Sequence, residues 1–326
     1  MKTIPIQTIE AVKIGQEENA AAGTGCTVLL SENGMRAGID VRGGGPASRE
    51  TQLLSPLAAA QSIHAIVLAG GSAFGLGAAN GVQACLEERG IGFDVGVTKV
   101  PLVVQSDLFD LTVGDPFTRP DAAMGYRAAK RALEAPNYRD GNSGAGCGAT
   151  VGKQGGMETC MKTGIGSYAV QLGELRVGAV VALNALGDIF DWKRGRQAAG
   201  MLTGDKSAFR SSFDLMCAST EIVENKFTGN TTLGVVVTNA EFSKAQLCKI
   251  AGMAQDGCAR SIRPVHTSAD GDTIYAVSAG DVCADQDLVG ALAAEVISEA
   301  ILCAVRSAKS AYGFPAASDL KWLSGE

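Results

Sequence analysis

Residues 227–240 read FTGNTTLGVVVTNA, which sets two hydroxyl side chains, Thr231 and Thr232, between a Gly-Asn pair and an apolar run. Threonine is at home at the mouth of a strand, and that ordinary reading needs no chemistry. The other reading needs a way to activate a weak hydroxyl. A cut between Asn230 and Thr231 would leave Thr231 with its hydroxyl and a free α-amine on one residue. Such an amine has an unperturbed pKa of roughly 7.7–8.0. Near neutrality it is partly free to take the hydroxyl proton. A bond cut in this way needs a loose approach on one side and a rigid anchor on the other. The polar segment 193–230 reads as a mobile connection, and Leu233–Thr238 reads as a buried strand.

Other residues with chemical potential have plainer readings beside them. SADGDT brackets a glycine with Asp270 and Asp272. It resembles the start of a calcium loop, but Tyr275 stands where that loop needs glycine. What remains is either a plain Asp-Gly turn or two carboxylates held at a strand mouth to orient a nucleophile. VLAGGSAFG misses the spacing of a dinucleotide fingerprint, and Phe74 breaks the nucleophile-elbow pattern around Ser72. It reads as a packing turn. Of the two histidines, His64 lies in an apolar run and reads as structural, while His266 lies near acids. Two histidines without metal-ligand spacing exclude a histidine-rich metal site. The nine cysteines are scattered without a C-x-x-C pair, as reduced core cysteines of a cytoplasmic protein would be.

The elements that must position these residues alternate in type along 326 residues, enough chain for a substantial core. TGCTVLLSENGMRAGIDVRGG predicts a hairpin turning at Asn33-Gly34. Residues 62–90 predict strand, glycine turn and a small-residue helix, and PDAAMGYRAAKRALEA a surface helix with Pro120 in its first turn. LRVGAVVALNALGDIF is apolar almost throughout, as a strand buried on both faces would be. Amphipathic helices start near Ser243 and Asp285, on either side of the strand DTIYAVSAG. Blocks of strands between helices predict one α+β domain over residues 1–326. A net charge of −6 disfavours nucleic acid and anionic membrane as partners, and no unbroken run of 18 apolar residues predicts a membrane span.

Five blocks in order, TGCTVLL…AGIDVRGGGPASRETQLLSP, IVLAGGSAFGL, GNSGAGCGATVGK, GNTTLGVVVTNA and ARSIRPVHTSADGDTIYAV, resemble the β-peptidyl aminopeptidase / L-aminopeptidase D-esterase family, which also holds nylon-oligomer hydrolase. The resemblance implies a four-layer αββα sandwich of the N-terminal-nucleophile-hydrolase type. It implies self-cleavage at Asn230–Thr231 into an α chain of residues 1–230 and a β chain of residues 231–326, with Thr231 as nucleophile. Carried over by position, Asn184 becomes an oxyanion donor, Lys153 a cation near the site, and Asp270 with Asp272 the pair that orients Thr231. Phe109 falls where several members carry tyrosine. Aminopeptidase members place a glutamate shortly before that aromatic to bind the substrate amine; here Gln105 and Ser106 stand near it and Asp107 is one step off, so Asp107 is the candidate for that contact. The pattern is closer to the nylon-oligomer branch, which acts on internal amides. No metal or organic cofactor is implied, the expected partner is a small peptide or amide, and assembly as a homo-oligomer of α/β pairs is expected. An acyltransferase of the ornithine acetyltransferase type, or a relative that never cuts, stays open on the same residues.

Overall fold

One long strand joins the two halves of the architecture. The computed structural model describes residues 1–218, 220 and 229–320. Its main strands are β1 (Lys2–Ile4), β2 (Lys13–Asn19), β3 (Thr24–Val41), β4 (Ala47–Arg49), β5 (Ile63–Ala69), β6 (Val103–Asp107), β7 (Ile165–Leu172), β8 (Leu175–Asn184), β9 (Thr231–Ala240) and β10 (Thr273–Val282). They pair in the order β1-β7-β8-β9-β10-β3-β5-β6-β4, with β2 also on β3. The first part of β3 pairs with β2 and β5, and the last part pairs with β10. The predicted hairpin is therefore a single strand. Gly34 takes φ +79, but Asn33 does not join it in the left-handed region, and a type I′ turn needs both. Instead, pairing with β5 slips between Leu30 and Met35. A slip of this kind lets one strand leave one sheet and enter another.

Alternation along the strands then separates three cores. Between the sheets lie Leu29, Ile66, Leu68, Val104, Val180, Val235, Val237 and Tyr275. The outer face of the β2-β3-β5-β6 sheet packs on helices α1 (Ala78–Glu87) and α2 (Ala122–Glu134). The outer face of the other sheet packs on α3 (Lys244–Ser261) and α4 (Gln286–Ser307). The layers are αββα, and each fully buried valine, leucine or isoleucine contributes about 1.5–3 kcal/mol. Caps fix where the helices start. Ser243 and Gln246 form a capping box on α3, Asp285 accepts from Asp287 N and Leu288 N on α4, and Asp121 rather than Pro120 caps α2. Although α4 has the length and composition to cross a membrane, 78% of its most apolar window is buried inside the protein.

The long apolar run after Leu175 breaks at its most useful point. β8 ends at Asn184, and a separate short strand, Asp188–Asp191, begins a small sheet with Arg196–Ala199 and Ile262–Arg263. The segment expected to be a mobile connection is ordered over much of its length. The buried Asp188 carboxylate accepts from Met201 N (2.8 Å), Ser212 N (2.7 Å) and Ser212 Oγ (2.8 Å), and Ser212–Cys217 is helical. Ser219 and residues 221–228, the rest of that expectation, lie outside the described residues.

Candidate active site

β9 begins at Thr231 itself, between β8 and β10. Thr231 stands opposite Asn184, and Asn230 bridges to Asp270. The end of one strand, the start of the next and the turn before a third thus meet around one peptide bond. The Thr231 hydroxyl donates to the carbonyl oxygen of Asn230. That oxygen also accepts from Gly271 N at 2.9 Å. A Cβ on Gly271 would stand 2.6 Å from Thr231 Oγ1, so glycine alone lets this N–H approach. The Gly271 N–H polarises this carbonyl and stands where negative charge would develop if the Thr231 hydroxyl attacked its carbon.

The two carboxylates do different things. Asp272 Oδ1 accepts from Thr232 N at 2.7 Å and so fixes the first residues of β9. Its Oδ2 lies 2.8 Å from His266 Nδ1 and accepts from His266 N at 3.2 Å. Asp270 turns into its own loop, where Oδ2 accepts from Thr267 N (2.8 Å) and Thr267 Oγ1 (2.6 Å). Burial, and after it the charge of Asp272, raises the Asp270 pKa. Behind the turn, Gly45 N donates to Asp270 O and Arg42 N to Asp272 O, so the chain leaving β3 braces it.

Lys153 is buried, and its Nζ donates to Asn184 Oδ1 (2.6 Å), Asn184 O (3.0 Å) and Gly229 O (3.0 Å). Burial lowers its pKa to about 8, against the opposing pull of Cys160, Asp270, Asp110 and Asp272. Asn184 Oδ1 also accepts from Thr150 N, while Nδ2 donates to Phe109 O (2.9 Å) and Gly229 O (3.2 Å). The Asn184 amide therefore holds the Gly229 carbonyl, and the Gly271 N–H the Asn230 carbonyl one residue on. Phe109 packs its ring on Gly229.

The structure thus brings Thr231, Asn230, Asn184, Lys153, Asp270, Asp272 and Phe109 together. It does not bring in Asp107. Val103 faces the helices and Val104 the other sheet, and alternation along β6 puts Gln105 and Asp107 on the helix side. Asp107 Oδ1 accepts from Gln105 Nε2 at 2.7 Å, and burial pushes its pKa well up. Three participants were missed in the sequence: Gly271, whose signal is its place between the two aspartates; Thr267, which holds Asp270; and Thr150, whose N–H fixes the Asn184 amide.

The chain is similar to known proteins. Residues 5–317 match Peptidase family S58. A Mycobacterium leprae protein described as an uncharacterized aminopeptidase is 37% identical over 95% of this chain and 92% of its own. A 6-aminohexanoate-oligomer endohydrolase of Kocuria sp. is 31% identical over 90% of this chain and 84% of its own. The structure of an L-aminopeptidase D-Ala-esterase/amidase from Ochrobactrum anthropi, described as a variant of the Ntn hydrolase fold, superposes with a TM-score of 0.67 at 16% identity, covering 94% of this chain and 88% of that one. At that identity the likeness speaks for the fold, which is of the Ntn hydrolase type. The chain belongs to peptidase family S58, and so to a family of amide-bond hydrolases.

Proposed function

We propose that this protein is a self-processing amide hydrolase that cuts its own Asn230–Thr231 bond and then uses Thr231 as an N-terminal nucleophile. The observation that carries this reading is the Thr231 hydroxyl lying on the Asn230 carbonyl whose oxygen Gly271 N also holds. In the first reaction Thr231 Oγ1 bonds to the Asn230 carbonyl carbon. Charge on the oxygen is met by the Gly271 N–H. The C–N bond breaks, the proton given up by the Thr231 hydroxyl ends on the Thr231 nitrogen, which becomes an α-amine, and an ester links Asn230 to Thr231. Water hydrolyses the ester to give chains of 1–230 and 231–326.

In the second reaction the freed hydroxyl attacks the amide carbonyl of a peptide or other linear amide. The α-amine takes the hydroxyl proton and passes it to the leaving amine. The Lys153 cation, close by, favours the neutral amine and steadies developing negative charge. Water again releases the acyl group as a carboxylate. Asp272 keeps Thr232, and through it the nucleophile, in place.

The test is the intact mass of purified protein under denaturing conditions, with N-terminal sequencing of the smaller chain. Two chains are expected, the smaller beginning Thr-Thr-Leu-Gly. Thr231→Ala should remain one chain and hydrolyse no amide; a cut or active Thr231→Ala protein would overturn the reading.

A further inference from the structure

The ester formed in self-cleavage is the same chemical species as an acyl-enzyme. In both, an acyl group sits on Thr231 Oγ1 beside a free α-amine; only the acyl chain differs. Whatever holds Gly229 and Asn230 in the uncut chain therefore describes where the acyl part of a substrate lies. Asn230, the acyl residue itself, is buried. One residue back, the Gly229 carbonyl has two donors of its own, Lys153 Nζ at 3.0 Å and Asn184 Nδ2 at 3.2 Å. Both nitrogens belong to buried side chains, so departure of the Gly229 carbonyl removes a partner from each, and groups of this kind favour a replacement acceptor. Around the α-carbon there is no room. Gly229 has φ +78, and a Cβ there would overlap the Phe109 ring. Gly229 itself is partly exposed.

We infer that the Gly229 position is an acyl-side subsite of the cut enzyme, built for a donor whose unit before the scissile residue is unsubstituted and carries a carbonyl. Such a unit is a glycyl residue. This inference rests on the self-processing reading and deepens it. The bonds made and broken are those given above: the substrate C–N bond opens, the ester to Thr231 forms, and the proton passes through the α-amine to the leaving amine.

Three anilides of asparagine test it on the cut enzyme: acetyl-Gly-Asn, acetyl-Ala-Asn and unextended Asn. We expect kcat/KM for the glycyl donor to exceed each of the others at least tenfold. Phe109→Ala should shrink the Gly-to-Ala ratio to a few-fold by opening the space over the α-carbon. The same geometry is read without any substrate in Gly229→Ala, which should slow self-cleavage at least tenfold, with recovery in the Gly229→Ala/Phe109→Ala double variant. Equal rates on the Gly and Ala donors, no gain from the acetylglycyl extension, or no hydrolysis of any of the three by the cut enzyme would overturn the subsite and leave self-processing standing. A wild-type chain that never cuts would overturn the parent reading, and the subsite with it.

Discussion

Lys153 and Lys162 are both buried, yet they are satisfied in opposite ways. Lys162 Nζ donates only to backbone carbonyls: Gly146 (3.2 Å), Ala149 (3.0 Å) and Thr163. Its partners belong to fixed turns and none of them departs in any step proposed here. Lys153 instead holds a side-chain amide and the carbonyl of Gly229, which on the proposed function would leave after the cut. Asp270, Asp110 and Asp272 all favour its charge, whereas Lys162 has Cys147 and Asp110. Burial lowers both pKa values, to about 8 for Lys153 and about 7 for Lys162. On the proposed function, the difference separates a cation placed to act on a substrate from one that staples a loop. The two are still linked. The turn that Lys162 ties down runs into Thr150, whose N–H fixes the Asn184 amide.

Replacing each lysine by methionine puts that contrast at risk. Lys153→Met should slow self-cleavage by roughly 10²-fold, the scale of a misplacement near 1 Å at the reacting bond, because the Gly229 carbonyl next to that bond loses its donor; it too leaves buried acceptors unsatisfied, so the melting temperature should fall as well. Gly271→Ala comes next. Its methyl would press on Thr231 Oγ1, and a misplacement near 1 Å costs roughly 10²-fold; stopped-time mass analysis of the uncut fraction measures both variants. Lys162→Met should cut at a rate within tenfold of wild type but unfold at lower denaturant. It leaves buried carbonyls without a donor, at about 1–3 kcal/mol for each group left unsatisfied. If the Lys162 variant lost its rate and kept its stability, the two lysines would have exchanged roles.

Much of this arrangement was legible because it is local. The Gly-Asn-Thr-Thr stretch and the Asp-Gly-Asp turn each announce a strand boundary through short-range pattern, whereas the break after Asn184 is hidden inside an apolar run. Long-range register was not legible. Asn33-Gly34 has the composition of a tight turn, and only pairing with both β5 and β10 shows that the strand continues through it. Asp107 lies two positions before Phe109, but strand alternation puts it with Gln105 on the helix face, and no spacing rule locates the sheet that decides this. Gly271 was read as a spacer between two acids, while its N–H, which carries no side-chain signal, holds the scissile oxygen. Order in 196–217 depends on Asp188, a single carboxylate collecting three donors from distant positions.

The last expected effect is the one with two opposite signs. Unfolded, each lysine titrates near its ordinary value of 10.5; folded, Lys162 does so at about 7 and Lys153 at about 8. Between those limits the unfolded chain binds protons that the folded chain does not, so stability rises with pH. For Lys162 the penalty of burying charge is fully present below about 7 and is relieved progressively from 7 towards 10.5. The stability of wild type relative to Lys162→Met, from denaturant titrations at a series of pH values, should therefore grow across that window. Surface lysines cancel in the difference, and a flat difference would mean that Lys162 is not held as a strained cation. Catalysis should run the other way. Above about 8, Lys153 loses the charge with which it holds the Gly229 carbonyl, so the wild-type self-cleavage rate should decline while stability is still climbing. A rate that kept rising with pH would remove the Lys153 cation from the reaction and leave it, like Lys162, a staple.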